Sequence, residues 1–431
     1  MFRRKTIIIL FWLLMWHLLA LWVNNKIMLV TPFRALQALA SMLPKETFWQ
    51  SVAGSLIRIG LGFLLGLVVG ILLAILSNRF SFLEELLSPV ISLFKAVPVA
   101  SLVVLFLIWW GSSFLAVAVC FLIVLPNLYI NTLEGLKATD KRLLEMADVF
   151  RIPFFNRFFY IYRPALKPFL LSGLKLSLGM SWKSGVAAEV IGTPDLSIGE
   201  RLYMSKIYLE TAEVFAWTAV VILLSLFFEK LVLWLAERIF AWEPACQGKG
   251  SVAGSSVQTS GVIACRGVNK AYGQQKVIQE FTASYESGQT YYMTTPSGSG
   301  KTTLLRLLCG LEQPDAGEIK RPERFSVMFQ EDRLCEDYNA VRNVELVIGS
   351  TSRAREALLE LLSEEALSKP CGQLSGGMKR RVALVRAMEA EAECILLDEP
   401  FTGLDADTKK LAEEYIRRRQ RGRTLIMATH L

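Results

Sequence analysis

Residues 290–303 read Thr-Tyr-Tyr-Met-Thr-Thr-Pro-Ser-Gly-Ser-Gly-Lys-Thr-Thr. Thr290 to Thr294 is a short β-prone run, and from Lys301 to Leu308 the pattern becomes helical. Strand, glycine-rich loop and helix in that order place backbone N–H groups and a helix N-terminus around phosphate oxygens. In such a loop Lys301 reaches the β- and γ-phosphates, and the Thr302 hydroxyl is a magnesium ligand. Thr295 stands five residues before Gly300, where the phosphate-loop pattern begins with glycine. A β-branched residue fits the left-handed region poorly, so an altered opening turn and a weakened nucleotide affinity are expected there.

Further pieces lie downstream. Cys394-Ile395-Leu396-Leu397 reads as a buried strand that ends in Asp398-Glu399-Pro400. A carboxylate at such a strand end can hold the magnesium shell, and the next one can polarise an attacking water. Leu374-Ser375-Gly376-Gly377-Met378 opens a helix that runs to about Met388, a second anion-seeking N-terminus. Gln330 follows the strand 325–329, and His430 follows the strand 424–428.

In this order the set resembles the ATPase of ABC transporters, an α/β P-loop fold. The resemblance implies ATP and Mg²⁺ as cofactors. It also implies roles for particular residues. Tyr272 stacks on adenine. Ser297, Gly298, Ser299, Gly300, Lys301, Thr302 and Thr303 form the phosphate loop. Thr302, Gln330 and Asp398 hold Mg²⁺, and Gln330 also senses the attacking water. Ser375, Gly376 and Gly377 bind the γ-phosphate of ATP held by the opposite subunit. Glu399 is the general base, Asp405 lies in the loop that follows it, and His430 contacts the γ-phosphate. The chain stops at Leu431 where members of the family usually continue, so a fragment or a pared-down domain is expected.

Outward from this half, hydropathy rises. Uncharged runs at residues 7–23, 59–77 and 96–133, with apolar stretches at about 164–191 and 214–236, predict six membrane spans. The run 96–133 is too long for one span and folds at Gly111-Ser112-Ser113 into two. Gly60, Gly62, Gly66 and Gly70 predict close helix approach in the second span. The segment after the fourth span holds Lys137, Lys141, Arg142, Arg151, Arg157, Arg163 and Lys167. The positive-inside rule therefore places it, both termini and the ATPase in the cytoplasm, with residues 24–50 and 192–213 outside.

That loop contains Glu145-Met146-Ala147, Arg151 and Ile161-Tyr162-Arg163-Pro164. It resembles the coupling loop of binding-protein-dependent importer permeases, with Arg151 where the family has glycine and Arg163 where it has leucine. A short helix, a turn and a second amphipathic helix are expected, with Phe154, Phe155, Phe158, Phe159 and Tyr160 offering apolar faces to a partner domain. Phe94-Lys95-Ala96-Val97-Pro98 to Trp109-Trp110-Gly111, and Gly179-Met180-Ser181-Trp182 to Ala187-Ala188-Glu189-Val190-Ile191-Gly192, resemble the nitrate/sulfonate/taurine branch. Lys95, Lys175, Lys183 and Glu189 are ionisable residues within spans, suited either to an anion pathway or to local ion pairs. Residues 244–261 are small and polar, a flexible tether with a reach of roughly 20–25 Å.

The expected fold is thus a membrane all-α permease domain of six transmembrane helices, type I importer-like, over residues 1–243, with a coupling loop at 145–164. The tether follows, and then an ATPase over 262–431. Of the 431 residues, 53% are hydrophobic and 20% charged, which excludes a disordered chain and disfavours a soluble one. Residues 1–243 carry 22 basic and 15 acidic side chains, and the remainder 25 and 24. The basic excess sits in the apolar half, as a topology signal and not a nucleic-acid footprint. Seven cysteines without a CxxC pair and two histidines argue for reduced thiols and no histidine-rich metal site.

The resemblance implies a multi-pass plasma-membrane homodimer that spans the lipid bilayer and works with an external solute-binding protein, importing a small anion and hydrolysing ATP. An exporter and a membrane-bound nucleotide sensor are the alternatives.

Overall fold

The computed structural model describes residues 2–25, 27–244, 262–294 and 298–429. The chain forms two compact units, Met1–Ala138 with Ala165–Trp242, and Thr139–Pro164 with Glu243–Leu431.

The first unit is helical. Its elements are α1 (Phe2–Val23), α2 (Pro32–Met42), α3 (Glu46–Arg79), α4 (Ser81–Ala96), α5 (Val99–Trp110) and α6 (Leu115–Lys137). After α7 (Lys141–Val149) and α8 (Phe154–Arg157), which belong to the second unit, come α9 (Arg163–Gly192), α10 (Ile198–Ile207) and α11 (Thr211–Ala241). Among the described residues α1, α3, α6 and α11 are long and apolar enough to cross a membrane as single helices.

Two of the six expected spans differ. The third, expected from residue 96 to the fold at Gly111, is the 12-residue α5, too short to span alone, and it meets α4 at an angle of 101°. Pro98 caps α5, and Val97 before it is extended, because a residue preceding proline is driven out of the helical region. The fifth, α9, has 30 residues, about 45 Å at 1.5 Å per residue. It carries Lys167, Lys175, Lys183 and Glu189, so its length suits a span better than its composition does.

Glycines set the spacing of α3 and α6. A Cβ on Gly62 would lie 2.4 Å from the Val117 carbonyl oxygen, and one on Gly66 would lie 2.8 Å from the Val124 Cβ. Gly70 is similarly close to the Leu125 carbonyl oxygen, whereas Gly60 faces open space. Three of the four glycines therefore serve helix approach.

The second unit has two sheets. β1 (Ile263–Tyr272), β2 (Gln275–Tyr285) and β4 (Ala316–Lys320) form an antiparallel sheet in the order β2-β1-β4. β3 (Thr290–Met293), β5 (Phe325–Met328), β6 (Cys394–Asp398) and β7 (Thr424–Ala428) form a parallel sheet in the order β3-β7-β6-β5. The β6 and β7 side chains are buried throughout, as parallel strands covered on both faces require.

The helices of this unit are α12 (Lys301–Leu308), α13 (Ala340–Ile348), α14 (Thr351–Leu359), α15 (Glu364–Ser368), α16 (Gly376–Glu389) and α17 (Ala406–Arg419). The register pairs Met293 and Asp398 with Ala428, and Met328 with Leu397, so the carboxyl ends of all four strands share one edge. Ligands of open α/β sheets bind at that edge.

Candidate nucleotide site and the loop docked beside it

The parallel register gathers the site. β3 leads toward α12, β5 ends two residues before Gln330, and β6 ends at Asp398. Gly298 and Gly300 both adopt left-handed backbone, at φ 82° and 87°, and Gly300 caps α12. The Val277 side chain lies 2.9 Å from where a Gly300 Cβ would stand, so this position excludes a side chain. Lys301 is buried at the head of α12.

The Thr302 hydroxyl donates to Asp398 Oδ2 at 2.9 Å. These two residues and Gln330 line one cavity of about 20 Å³. Burial pushes the Asp398 carboxyl above its usual range, against the hydrogen bond from Thr302. A hydroxyl and a desolvated carboxylate side by side are hard oxygen donors of the kind magnesium takes, with phosphate oxygens and water completing the shell.

Glu399 sits at φ 50°, a left-handed conformation that is strained for a carboxylate side chain, and its Oε2 accepts from the Thr402 hydroxyl at 3.2 Å. The Glu399 amide donates to the Ala428 carbonyl at 2.9 Å. Ser375 caps α16 and is exposed with Gly376, while Gly377 is half-buried beside Gly403. Asp405 caps α17 by accepting from the Thr408 amide at 2.8 Å. Tyr272 ends β1, half exposed, and it reaches Thr303 and Glu312 through its hydroxyl. Thr295, Ser297, His430 and the tether from residue 245 to 261 lie outside the described residues.

Residues 139–164 fold as part of this unit. α7 is capped by Asp140, which accepts from the Arg142 amide at 2.8 Å. The turn after α7 places Arg151 at φ 51°, the conformation that glycine adopts freely. The Arg151 guanidinium donates to the Glu323 carbonyl at 2.7 Å, which holds the turn. The second helix is not one amphipathic α-helix. It runs from α8 into a π-helical stretch, Phe158–Tyr162, and then directly into α9.

The docking residues match those expected only in part: Tyr160 is buried in the seat and Phe159 packs against it. Phe154 and Phe158 are exposed, while Met146, Ala147, Ile152, Tyr160 and Ile161 are buried with Phe325, Val327, Phe329 and Tyr338. Polar contacts surround this apolar seat. Glu145 accepts from Arg306 through both oxygens, at 2.9 and 3.0 Å, and from Arg333 at 2.7 Å. The Arg306 hydrogen bonds, with those from Arg333, hold the Glu145 carboxyl below its ordinary value. Phe150 lies under Arg386, the centroid 5.5 Å from the guanidinium carbon, and burial pushes that guanidinium down to about 10. The Tyr160 hydroxyl donates to the Pro244 carbonyl at 2.6 Å, tying the start of the tether to the loop.

Arg380 is a residue that the motif reading passed over. It is buried, and it donates to the carbonyls of Phe329, Gln330, Asp398 and Glu399 at 2.5 to 2.9 Å. One guanidinium thus joins the end of β5 to the end of β6. Its place five residues beyond Ser375 was the available signal. Arg306, five residues beyond Lys301, was likewise passed over.

In the first unit the ionisable residues separate. Glu189 is fully buried; it accepts from the Ser55 hydroxyl at 2.5 Å and lies 3.7 Å from Arg58, a local ion pair. Lys95, Lys175 and Lys183 are exposed.

Residues 278–402 match the ABC transporter family, and residues 66–241 match the binding-protein-dependent transport system inner membrane component. The chain is 39% identical over 158 residues to the aliphatic sulfonates import ATP-binding protein SsuB 1 of Nocardia farcinica, covering 36% of this chain and 64% of that protein. It is 40% identical over 177 residues to SsuB 2 of Paraburkholderia xenovorans, covering 39% of this chain and 70% of that protein. A Nod factor export ATP-binding protein I of Burkholderia orbicola is 36% identical over 186 residues, covering 38% of this chain and 61% of that protein. The chain therefore spans about two thirds of the length of the curated relatives that it matches.

Proposed function

Because the chain belongs to the ABC transporter family, we propose that it is one half of an ATP-driven importer, with its permease and its ATPase in one polypeptide. Residues 1–243 form the permease, 244–261 the tether and 262–431 the ATPase, with 145–164 as the coupling loop. The protein sits in the plasma membrane with both termini and the ATPase in the cytoplasm. A solute-binding protein outside delivers a small anion such as a sulfonate, nitrate or taurine. The aliphatic sulfonate importers among the relatives support that solute class.

The observation that carries this reading is the docking of Glu145 on Arg306 and Arg333. It joins the loop to the phosphate-loop helix and to a point three residues past Gln330. A change at the γ-phosphate can therefore reach the loop through the two arginines that hold Glu145. The import direction is supported by the same loop and by the permease match, against the exporter among the relatives.

ATP lies with its base on Tyr272 and its phosphates on Gly298, Ser299, Gly300, Lys301, Thr302 and Thr303, with Ser297 completing the loop. Thr302, Asp398 and Gln330 hold magnesium, which neutralises phosphate charge when bound. Glu399 positions the attacking water and accepts its proton, with His430 at the γ-phosphate. Ser375, Gly376, Gly377 and Asp405 face the nucleotide of a second copy, so two chains make two sites. Binding of ATP favours the closed pair by its differential affinity for that state, and hydrolysis releases it.

Phosphate release by the full chain in lipid nanodiscs, compared with Glu399→Gln, tests the reading. The variant should fall at least about 100-fold, the usual contribution of a general base. Wild-type release no higher than that of Glu399→Gln would make the chain a nucleotide sensor instead. Uptake of radiolabelled taurine or an alkanesulfonate into proteoliposomes, with a purified binding protein added, tests direction and solute.

A further inference from the structure

The contacts of Arg306 extend past the coupling loop. Its Nη1 and Nη2 serve Glu145, and its Nε donates to Glu312 Oε1 at 2.5 Å. The other oxygen of Glu312 accepts from the Tyr272 hydroxyl. The four side chains form one line, Tyr272–Glu312–Arg306–Glu145, in which each inner group has a separate atom for each neighbour. The line begins on β1, passes the turn after α12, crosses α12 and ends on α7. It runs beside the phosphate loop without passing through Gln330.

We propose that Glu312 is a positioning residue that conveys occupancy of Tyr272 by the nucleotide base to the coupling loop through Arg306. This rests on the reading that Tyr272 takes the base and that residues 145–164 couple the ATPase to the permease.

The physical basis is competition for one cation. Arg306 divides its charge between Glu312 and Glu145, and the share that Glu312 takes depends on whether the Tyr272 hydroxyl neutralises part of that carboxylate. A base stacked on the Tyr272 ring fixes the ring and sets the hydroxyl. Glu312 then holds Arg306 in one balance against Glu145 when the base is present and in another when it is absent. The loop is informed of the base by this route and of the γ-phosphate by Gln330. A nucleotide with both parts gives a different loop state from phosphate alone.

A double-mutant cycle separates this from a static surface ion pair. The full chain is reconstituted in phosphatidylethanolamine/phosphatidylglycerol nanodiscs, and ATPase turnover and the KM for ATP are measured. Tyr272→Phe removes only the hydroxyl and keeps the stacking ring. Glu145→Gln removes the charge at the far end, and Glu145→Asp replaces it should that variant fail to fold.

With Glu312 present, the effects of the two variants on turnover should be non-multiplicative by at least about threefold. In the Glu312→Gln background the same pair should become multiplicative. Coupling that is absent in both backgrounds, or equal in both, would overturn the proposal. A Tyr272→Ala variant with an unchanged KM for ATP would overturn the base-stacking reading itself, a result distinct from a failed cycle.

Discussion

At the scale of single residues, the molecule concentrates its structural demands on a few arginines. Arg380 satisfies four carbonyls at the ends of two strands, and no other side chain has the fork of donors needed to do so. Arg380→Ala leaves those buried acceptors without their donor. It should destabilise the nucleotide unit by about 3–5 kcal/mol, more than an ordinary surface change. Thermal denaturation of the full chain, followed by tryptophan-independent light scattering and by loss of ATP binding, checks this. Arg380→Lys should recover little, because a point charge cannot serve four acceptors. The residues that carry phosphate chemistry were legible beforehand because each type sits at a spacing dictated by a strand end or a helix start. The arginines that hold them were not, because an arginine in a helix pattern looks the same whether it faces water or a cluster of carbonyls.

At the scale of elements, the loop formed by α7 and α8 shows both what a pattern can tell and where it stops. Helix, turn and helix were readable from the spacing of Glu145, Arg151 and Ile161. The seat was readable only in part, since Tyr160 and Phe159 belong to it as expected, whereas Phe154 and Phe158 are exposed and Met146 and Ile152 are buried in their place. A hydrophobic count does not fix the rotation of a helix that changes to π geometry within two turns.

Arg151 illustrates a conflict between levels. Its left-handed backbone costs about 1–2 kcal/mol for a non-glycine residue, offset in part by its hydrogen bond to Glu323, about 1 kcal/mol at an exposed site. Arg151→Gly should therefore leave loop docking unchanged or stabilise it by up to about 1 kcal/mol. Hydrogen exchange of the 141–153 amides measures this, and a marked loss of protection would contradict it.

The Glu145 contact adds a pH dependence. Its folded pKa is lowered, chiefly by the Arg306 hydrogen bond, so its contribution is complete above the ordinary value of 4.5. It is lost as the pH falls through the lowered folded value. Protection of the loop amides should hold from neutral pH down to the ordinary carboxyl value of 4.5 and decline only below it, and Glu145→Gln should be weaker at pH 7 without that decline.

At the scale of the whole molecule, the exposed Ser375 and Gly376 and the buried Lys301 belong to different halves of a shared site if the chain functions as a symmetric pair. Lys301→Ala and Ser375→Arg chains should each be inactive alone. Co-reconstituted in equal amounts they should recover up to about a quarter of wild-type ATPase, because half of the pairs are mixed and each mixed pair has one intact site. Recovery by neither mixing nor co-expression would show that each chain completes its own site. The six-span expectation was limited at this scale by composition. α9 carries ionisable side chains that a hydropathy reading penalises, and α4 with α5 bends at Pro98, a break that a count of apolar residues passes over although the proline marks it.

The hydrogen bond from Tyr160 to the Pro244 carbonyl joins two residues 84 positions apart in the chain. Residues 139–164 are seated on the ATPase by contacts of their own. A protease nick anywhere in 245–261 severs the covalent chain, yet the C-terminal piece should remain seated on residues 139–164, which stay with the other fragment. Two bands on a denaturing gel and one species in native detergent is the outcome to look for, and it would make the fused chain and a split pair of genes interchangeable in kind.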